Sequence, residues 1–130
     1  MGGYVANEVV KLMVKRDIVV KKSNILVLGI TFKENCPDVR NTRIVDIISE
    51  LRDYEIDITI CDPWANSDEV MHEYGLSIVN DIPSGKFDAV IMAVAHNSFM
   101  EVNWTDKLNE NGLIYDVKGC LDKNMVTARL

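Results

Sequence analysis

Asn24-Ile25-Leu26-Val27-Leu28-Gly29-Ile30 runs directly into Thr31-Phe32-Lys33-Glu34-Asn35-Cys36-Pro37-Asp38-Val39-Arg40. Within the first stretch, Ile25 to Ile30 is apolar on both of its faces, as a central strand of a parallel sheet must be when helices cover both sides. Past its end the chain presents an aromatic ring, a lysine, an aspartate and an arginine, and an amphipathic helical pattern follows. In open α/β sheets, ligands gather at the carboxyl ends of strands. A cationic loop placed there reads as a grip for an anion, and a phosphate is the best fit.

Outward from this junction the elements alternate. Asn41 or Thr42 can cap a helix whose buried stripe is Ile44, Ile47, Ile48 and Leu51. Ile56 to Cys61 reads as a second strand, stopped by the turn Asp62-Pro63-Trp64. Ser67 caps a short helix that Gly75 terminates, and Leu76 to Val79 is a brief strand. Asp81 to Gly85 reads as a turn or a single helical turn, and Phe87 to Val94 is the longest apolar run and a buried strand. Asn103 or Thr105 starts a small helix ending at Gly112, and Leu113 to Val117 is the last strand. The order predicts an α/β fold with a mainly parallel, doubly wound five-stranded sheet.

A helix precedes all of this. Val5, Val9, Leu12 and Met13 form one apolar face between Gly3 and Arg16, and Val10 and Val14 add a second strip. That surface either packs on its own domain or belongs to a larger interface. The boundary lies near Val20 to Ser23, giving segments 1–20 and 21–130.

The 130 residues suffice for one domain with a real core. With 14 Lys and Arg against 20 Asp and Glu, the formal net charge is −6, which argues against a nucleic-acid or anionic-membrane partner. No apolar run approaches a membrane span, and no secretory signal is visible. Cys36, Cys61 and Cys120 are odd in number and widely spaced, with no Cys/His cluster, so they read as reduced thiols of a cytoplasmic protein without a metal site. Cys61 falls in a strand pattern and belongs to the core. Cys36 lies between Lys33 and Arg40, which favour a thiolate, but no base stands near to activate it, so it reads as a tolerated loop thiol.

A dinucleotide-binding loop would need G-x-G-x-x-G after the first strand, so that helix amides could approach a pyrophosphate. Here Gly29-Ile30-Thr31-Phe32-Lys33-Glu34 stands instead. The sheet is therefore Rossmann-like without that loop, and an anion would be held by side chains. Lys33 offers a point charge and Arg40 a bidentate fork, or both pair with Glu34 and Asp38 on a solvated loop. Asp62 has the place of a ribose-binding acid, though a turn that stabilises Asp62-Pro63 is the simpler reading. His96 also follows a strand and reads as a turn or helix-start residue rather than an acid/base; His72 reads as solvated. Lys118, in Asp116-Val117-Lys118-Gly119, is the third cation at a strand end, and three cations on one edge of an acidic domain argue for a bound anion.

These residues resemble a family. The run from Gly29 through Phe32, Lys33, Asp38 and Arg40 to Thr42 resembles the G-x-x-F-K-x-x-x-x-D-x-R-x-(S/T) segment of the nucleotide-sugar (UDP-glucose/GDP-mannose) dehydrogenases. Asp62-Pro63, His96 with Phe99, and Asp116-Val117-Lys118-Gly119 follow in the family's order. The resemblance covers nearly the whole chain. It implies the carboxy-terminal UDP-sugar-binding domain of an NAD-dependent enzyme, with residues 1–20 the end of a central helix through which the parent forms a homodimer. That enzyme oxidises a sugar C6 alcohol to a carboxylate in two NAD-dependent steps through a cysteine thiohemiacetal. The nucleophile and the glycine-rich NAD loop lie in other parts of it, so no catalytic residue falls in this chain and the chain alone is inert. Carried over by position, Phe32 and Lys33 resemble substrate contacts and Arg40 a cofactor contact, with Asp38 orienting Arg40. Where the UDP-glucose enzymes carry D-G-R and a further arginine, this chain has Gly119 at that arginine's place, so Lys118 stands as a substrate contact on its charge alone. The Asp116-Val117-Lys118-Gly119 form, with Phe32 to Asp38, is more similar to bacterial enzymes that act on UDP-N-acetylhexosamines for surface polysaccharide.

Two other readings compete. A receiver-like or protein-interaction module would need clustered acids after the first and third strands to hold Mg²⁺, and Gly29-Ile30-Thr31 supplies none. An autonomous nucleotide-binding domain would need more of each pocket than one domain provides.

Overall fold

The computed structural model describes residues 2–40 and 42–129. Helix α1 (Gly2–Lys15) leads into β1 (Asn24–Leu28), α2 (Ile44–Arg52), β2 (Asp57–Cys61), α3 (Ser67–Tyr74), β3 (Phe87–Met92), β4 (Leu108–Asp116) and β5 (Ala128–Arg129), with 3-10 turns at Asn97–Phe99 and Trp104–Lys107. The strands lie in the order β2-β1-β3-β4-β5, and every pair is parallel. The fold is Rossmann-like, with β1 at the point where the chain reverses direction across the sheet.

Strand side chains alternate between faces. Ile25, Val27, Ala89, Ile91, Leu113 and Tyr115 join α1 and α2 in one core. Leu26, Leu28, Val90, Met92 and Ile114 point the other way, into a second core closed by Phe99, Trp104 and Leu121. The three α-helices thus cover one face, while the other is covered by 3-10 turns and the tail.

The predicted stripe of α2 is buried as expected at Ile44, Ile47, Ile48 and Leu51. Its N-cap position falls on Arg43 rather than on Thr42, whose hydroxyl nonetheless accepts from the Ile44 N–H at 3.3 Å; the other candidate, Asn41, lies outside the described residues. On α1, Val5, Ala6, Val9 and Met13 are fully buried against the domain itself. Arg16 donates from Nε to the Asn111 carbonyl at 2.8 Å, fastening the helix end to β4. Tyr4 and Val14 remain exposed.

Three further expectations are corrected. Asn66, not Ser67, caps α3: its side chain accepts from the Glu69 N–H at 3.0 Å, and Gly75 ends the helix in the left-handed conformation at φ 68°. Leu76 to Val79 makes only a single bridge, Val79 to Cys61; the fifth strand is instead β5, beside β4. The small helix ends at Lys107 rather than Gly112, because Leu108 already pairs with Phe87 and β4 accommodates Asn109 to Gly112 as a register shift. Asn111 there sits at φ 66°, a conformation asparagine tolerates.

Candidate functional site

The reversal of strand order between β1 and β3 creates a crevice at their carboxyl ends, the place where open α/β sheets bind ligands. Gly29 makes it possible. Its φ is +100°, and a Cβ there would stand 2.4 Å from the Val94 Cβ, so only glycine lets the end of β1 pass the end of β3 this closely.

Beneath the crevice lies a buried hub. Asp62, the residue after β2, is fully buried. Its Oδ1 accepts from the N–H groups of Trp64 (2.8 Å) and Ala65 (3.1 Å), which is the expected side-chain-stabilised turn. Its Oδ2 reaches the loop after β1, accepting from Ile30 N–H at 2.7 Å and Thr31 N–H at 3.1 Å. The same oxygen lies 3.0 Å from His96 Nε2, which follows β3. Burial alone would raise the Asp62 pKa, but the hydrogen bonds from His96, Ile30 and Trp64 outweigh it and hold the carboxyl below its usual range.

His96 is equally buried, with Phe99 packed edge-on at 5.5 Å and Trp64 stacked at 6.4 Å between ring centroids. Its Nδ1 faces the Asn35 N–H at 2.9 Å. An amide N–H can only donate, so Nδ1 is the acceptor and the ring is the Nε2–H tautomer, its proton directed at Asp62 Oδ2. Thr31 Oγ1 also lies 3.1 Å from Nε2 and donates its own proton to the Lys33 carbonyl at 3.0 Å. No exposed face remains for acid/base work.

Above the hub is the crevice wall. A hollow of about 150 Å³ is lined by Thr31, Phe32, Thr42, Arg43, Val94 and Lys118 among others. Phe32 is 57% exposed, a large aromatic face left in solvent beside two cations. Among the predicted residues, Phe32 and Lys118 meet here. Lys33, next along the Thr31–Asn35 arch, is exposed and is not part of this lining. Arg40 lines a separate hollow of about 380 Å³ with Cys36, Pro37, Asp38 and Glu69. Its Nε is 3.2 Å from Asp38 Oδ1, which also accepts the Arg40 backbone N–H at 2.9 Å. Those two hydrogen bonds, backbone first, lower the Asp38 pKa, and the Asp38 side chain raises that of Arg40.

Arg43 is the lining residue that sequence reading missed. It holds the N-cap position of α2 without a capping side-chain bond. A cation there is opposed by the helix dipole, which favours negative charge at this end. That mismatch is the signal: helix N–H groups and an arginine together at a strand-end crevice suit an incoming anion.

The hub also bears on a dinucleotide. Both Asp62 oxygens are occupied by the chain's own donors, and the loop after β1 carries side chains where close-approach glycines would be needed. The residues present do not fit a complete NAD site.

The model of the UDP-glucose/GDP-mannose dehydrogenase family, UDP binding domain, matches residues 26–123. UDP-N-acetyl-D-glucosamine 6-dehydrogenases of Pseudomonas aeruginosa and Salmonella typhi are 42% and 41% identical over the whole chain, which spans 32% and 31% of their lengths. Among solved structures, the NDP-N-acetyl-D-galactosaminuronic acid dehydrogenase of Methanosarcina mazei Go1 superposes with a TM-score of 0.83 at 16% identity, over 95% of this chain and 26% of that one. The UDP-N-acetyl-mannosamine dehydrogenase of S. aureus gives 0.73 at 18% identity, over 98% and 29%. At these identities the structures speak for the fold alone. The chain spans about a third of the length of its curated relatives, and on the family match it belongs to the UDP-glucose/GDP-mannose dehydrogenases, as their UDP binding domain.

Proposed function

We propose that this chain is the nucleotide-sugar-binding part of an NAD-dependent UDP-sugar 6-dehydrogenase and that the β1/β3 crevice takes the diphosphate of the substrate. The observation that carries this is the hollow in which Arg43 from the start of α2 and Lys118 from beyond β4 flank the exposed Phe32 ring. Within an acidic chain, two cations and an aromatic face at a topological switch point suit a ligand with charged phosphates. Lys33, on the arch beside Phe32, reaches the same ligand from above. Arg40, oriented by Asp38, faces a nicotinamide cofactor held mainly by another domain. The similarity to UDP-N-acetyl-D-glucosamine 6-dehydrogenases supports a UDP-N-acetylhexosamine as substrate. The reaction then removes hydride twice from the sugar C6, with the nucleophile supplied from outside residues 1–130, in a cytoplasmic homodimer joined through the α1 region and serving polysaccharide synthesis.

Calorimetric titration of the complete dehydrogenase with UDP tests the site. Lys118→Ala and Arg43→Ala should each weaken UDP binding by roughly 1.5–3 kcal/mol, the size of a charge-assisted hydrogen bond, and Lys33→Ala by a similar amount. Unchanged affinity in all three would remove the crevice as the diphosphate site.

A further inference from the structure

The arch that carries Phe32 and Lys33 is tied down at both ends to one side chain. At its start, Thr31 meets His96 Nε2 through its hydroxyl (3.1 Å), while its N–H goes to Asp62 (3.1 Å). At its end, the Asn35 N–H is taken by His96 Nδ1 at 2.9 Å. Asn35 Oδ1 adds a second tie to the same strand end by accepting from the Asn97 N–H at 3.0 Å. Asn35 itself sits at φ 54°, a conformation that turns the chain back sharply. Between the ties, Phe32 is braced once by its N–H to the Asp38 carbonyl at 2.7 Å, and its ring and Lys33 project into solvent. A loop pre-shaped in this way gives up less conformational entropy when a ligand arrives.

We infer that His96 is a positioning residue for nucleotide-sugar binding: as the Nε2–H tautomer, anchored by Asp62, it holds the Thr31–Asn35 arch so that Phe32 and Lys33 are set before substrate enters. The inference rests on the crevice reading above. His96 touches no ligand itself, since its ring is closed in by Trp64, Phe99 and the arch. The arrangement needs one ring atom that donates and one that accepts, in fixed directions. His96→Phe keeps the aromatic packing and loses both; His96→Gln keeps one donor and one acceptor.

Two measurements test this. On this chain, without ligand, long-range ¹H–¹⁵N spectra should show His96 as the Nε2–H tautomer, and the Asn35 amide should exchange about tenfold faster in His96→Phe, the loss of one hydrogen bond, with partial return of protection in His96→Gln. In the complete dehydrogenase, His96→Phe should raise KM for the UDP-sugar about tenfold with kcat within about threefold of the parent, and His96→Gln should recover part of that KM. An Nδ1–H tautomer in the unaltered chain, which needs no variant to fold, would overturn the inference, as would an unchanged KM in His96→Phe. Failure of the crevice reading looks different: the tautomer and exchange results would hold, but UDP affinity would ignore Arg43 and Lys118, and the arch would then be ordered for something other than this substrate.

Discussion

Asp62 and Asp116 stand at corresponding places, at the carboxyl ends of β2 and β4, and both are fully buried. What they hold differs. Asp116 serves its own loop: its oxygens accept from the N–H groups of Lys118 (3.1 Å), Gly119 (2.9 Å) and Leu121 (2.8 Å), with Arg129 3.9 Å away. Asp62 serves its own turn with one oxygen and spends the other on the ends of β1 and β3. One carboxylate closes a loop; the other joins three strand ends under the crevice. A buried acid at a strand end is thus not in itself a ligand-binding group, and its reach decides whether it shapes a site.

The largest effects should come from breaking this difference directly. Asp62→Ala removes a buried charge and strands four backbone donors and a histidine, so urea denaturation should show a loss of roughly 3–5 kcal/mol. Asp116→Ala should cost roughly 1–3 kcal/mol. Amide exchange should separate them by place as well as size, with loosening at 30–35 and 64–65 for Asp62 and confined to 118–121 for Asp116. Acid adds a second handle on Asp62. Its folded pKa lies below the unfolded value of 3.8, so its contribution is fully present above about pH 4 and is lost as pH falls through the folded pKa. The stability gap between the parent and Asp62→Asn should therefore be constant near neutrality and close below about pH 4. A gap that stays constant down to pH 2 would show that the His96 and backbone bonds do not favour the charged form.

The glycines beside the two hubs sharpen the comparison. Gly29 and Gly119 both have positive φ, at +100° and +67°. Gly29→Ala adds strain and drives its Cβ to 2.4 Å from Val94, forcing the ends of β1 and β3 apart. A loss of roughly 2–4 kcal/mol is expected, from overpacking and backbone strain together. Gly119→Ala meets nothing within 4 Å, so only the strain remains, roughly 1 kcal/mol. Equal losses in thermal melts would mean that the close approach at Gly29 has slack.

How far the sequence carried these features follows from what each depends on. The parallel sheet was legible because Ile25 to Ile30 and Ala89 to Val94 are unbroken runs without a charged residue, and an apolar run of strand length needs no knowledge of partners. Asp62 was legible as a turn but not as a hub, since its second oxygen bonds to residues more than thirty positions away that no local pattern announces. The sequence around His96 shows a strand-end turn residue; that its ring folds inward to hold Asn35 depends on Trp64 and Phe99 closing over it. Of the predicted cations, Lys118 lies at the crevice by topology, while Arg40 is drawn by Asp38 into the adjoining hollow. Arg43 is hidden in the sequence because Asn41 and Thr42 beside it carry the ordinary capping signal, while the unfavourable charge at the helix start shows its meaning only once the crevice is in place.

The smallest effect concerns the thiols that neighbour the two acids. Cys61 directly precedes Asp62, and the Cys120 sulfur lies 3.8 Å from Asp116 Oδ1. Burial first, and the adjacent carboxylate second, raise both to about 11. Neither thiol is then an effective nucleophile at neutral pH. Half-buried Cys36 in the arch loop should be alkylated first, Cys120 next and the fully buried Cys61 last. In Asp116→Asn burial, the largest cause, stays at Cys120 and only the influence of the carboxylate is relieved, so its alkylation at pH 9 should quicken by no more than a few-fold, with Cys36 unchanged. A much larger acceleration would mean that the loop Asp116 closes had opened, making this acid as far-reaching as Asp62 and erasing the contrast between them.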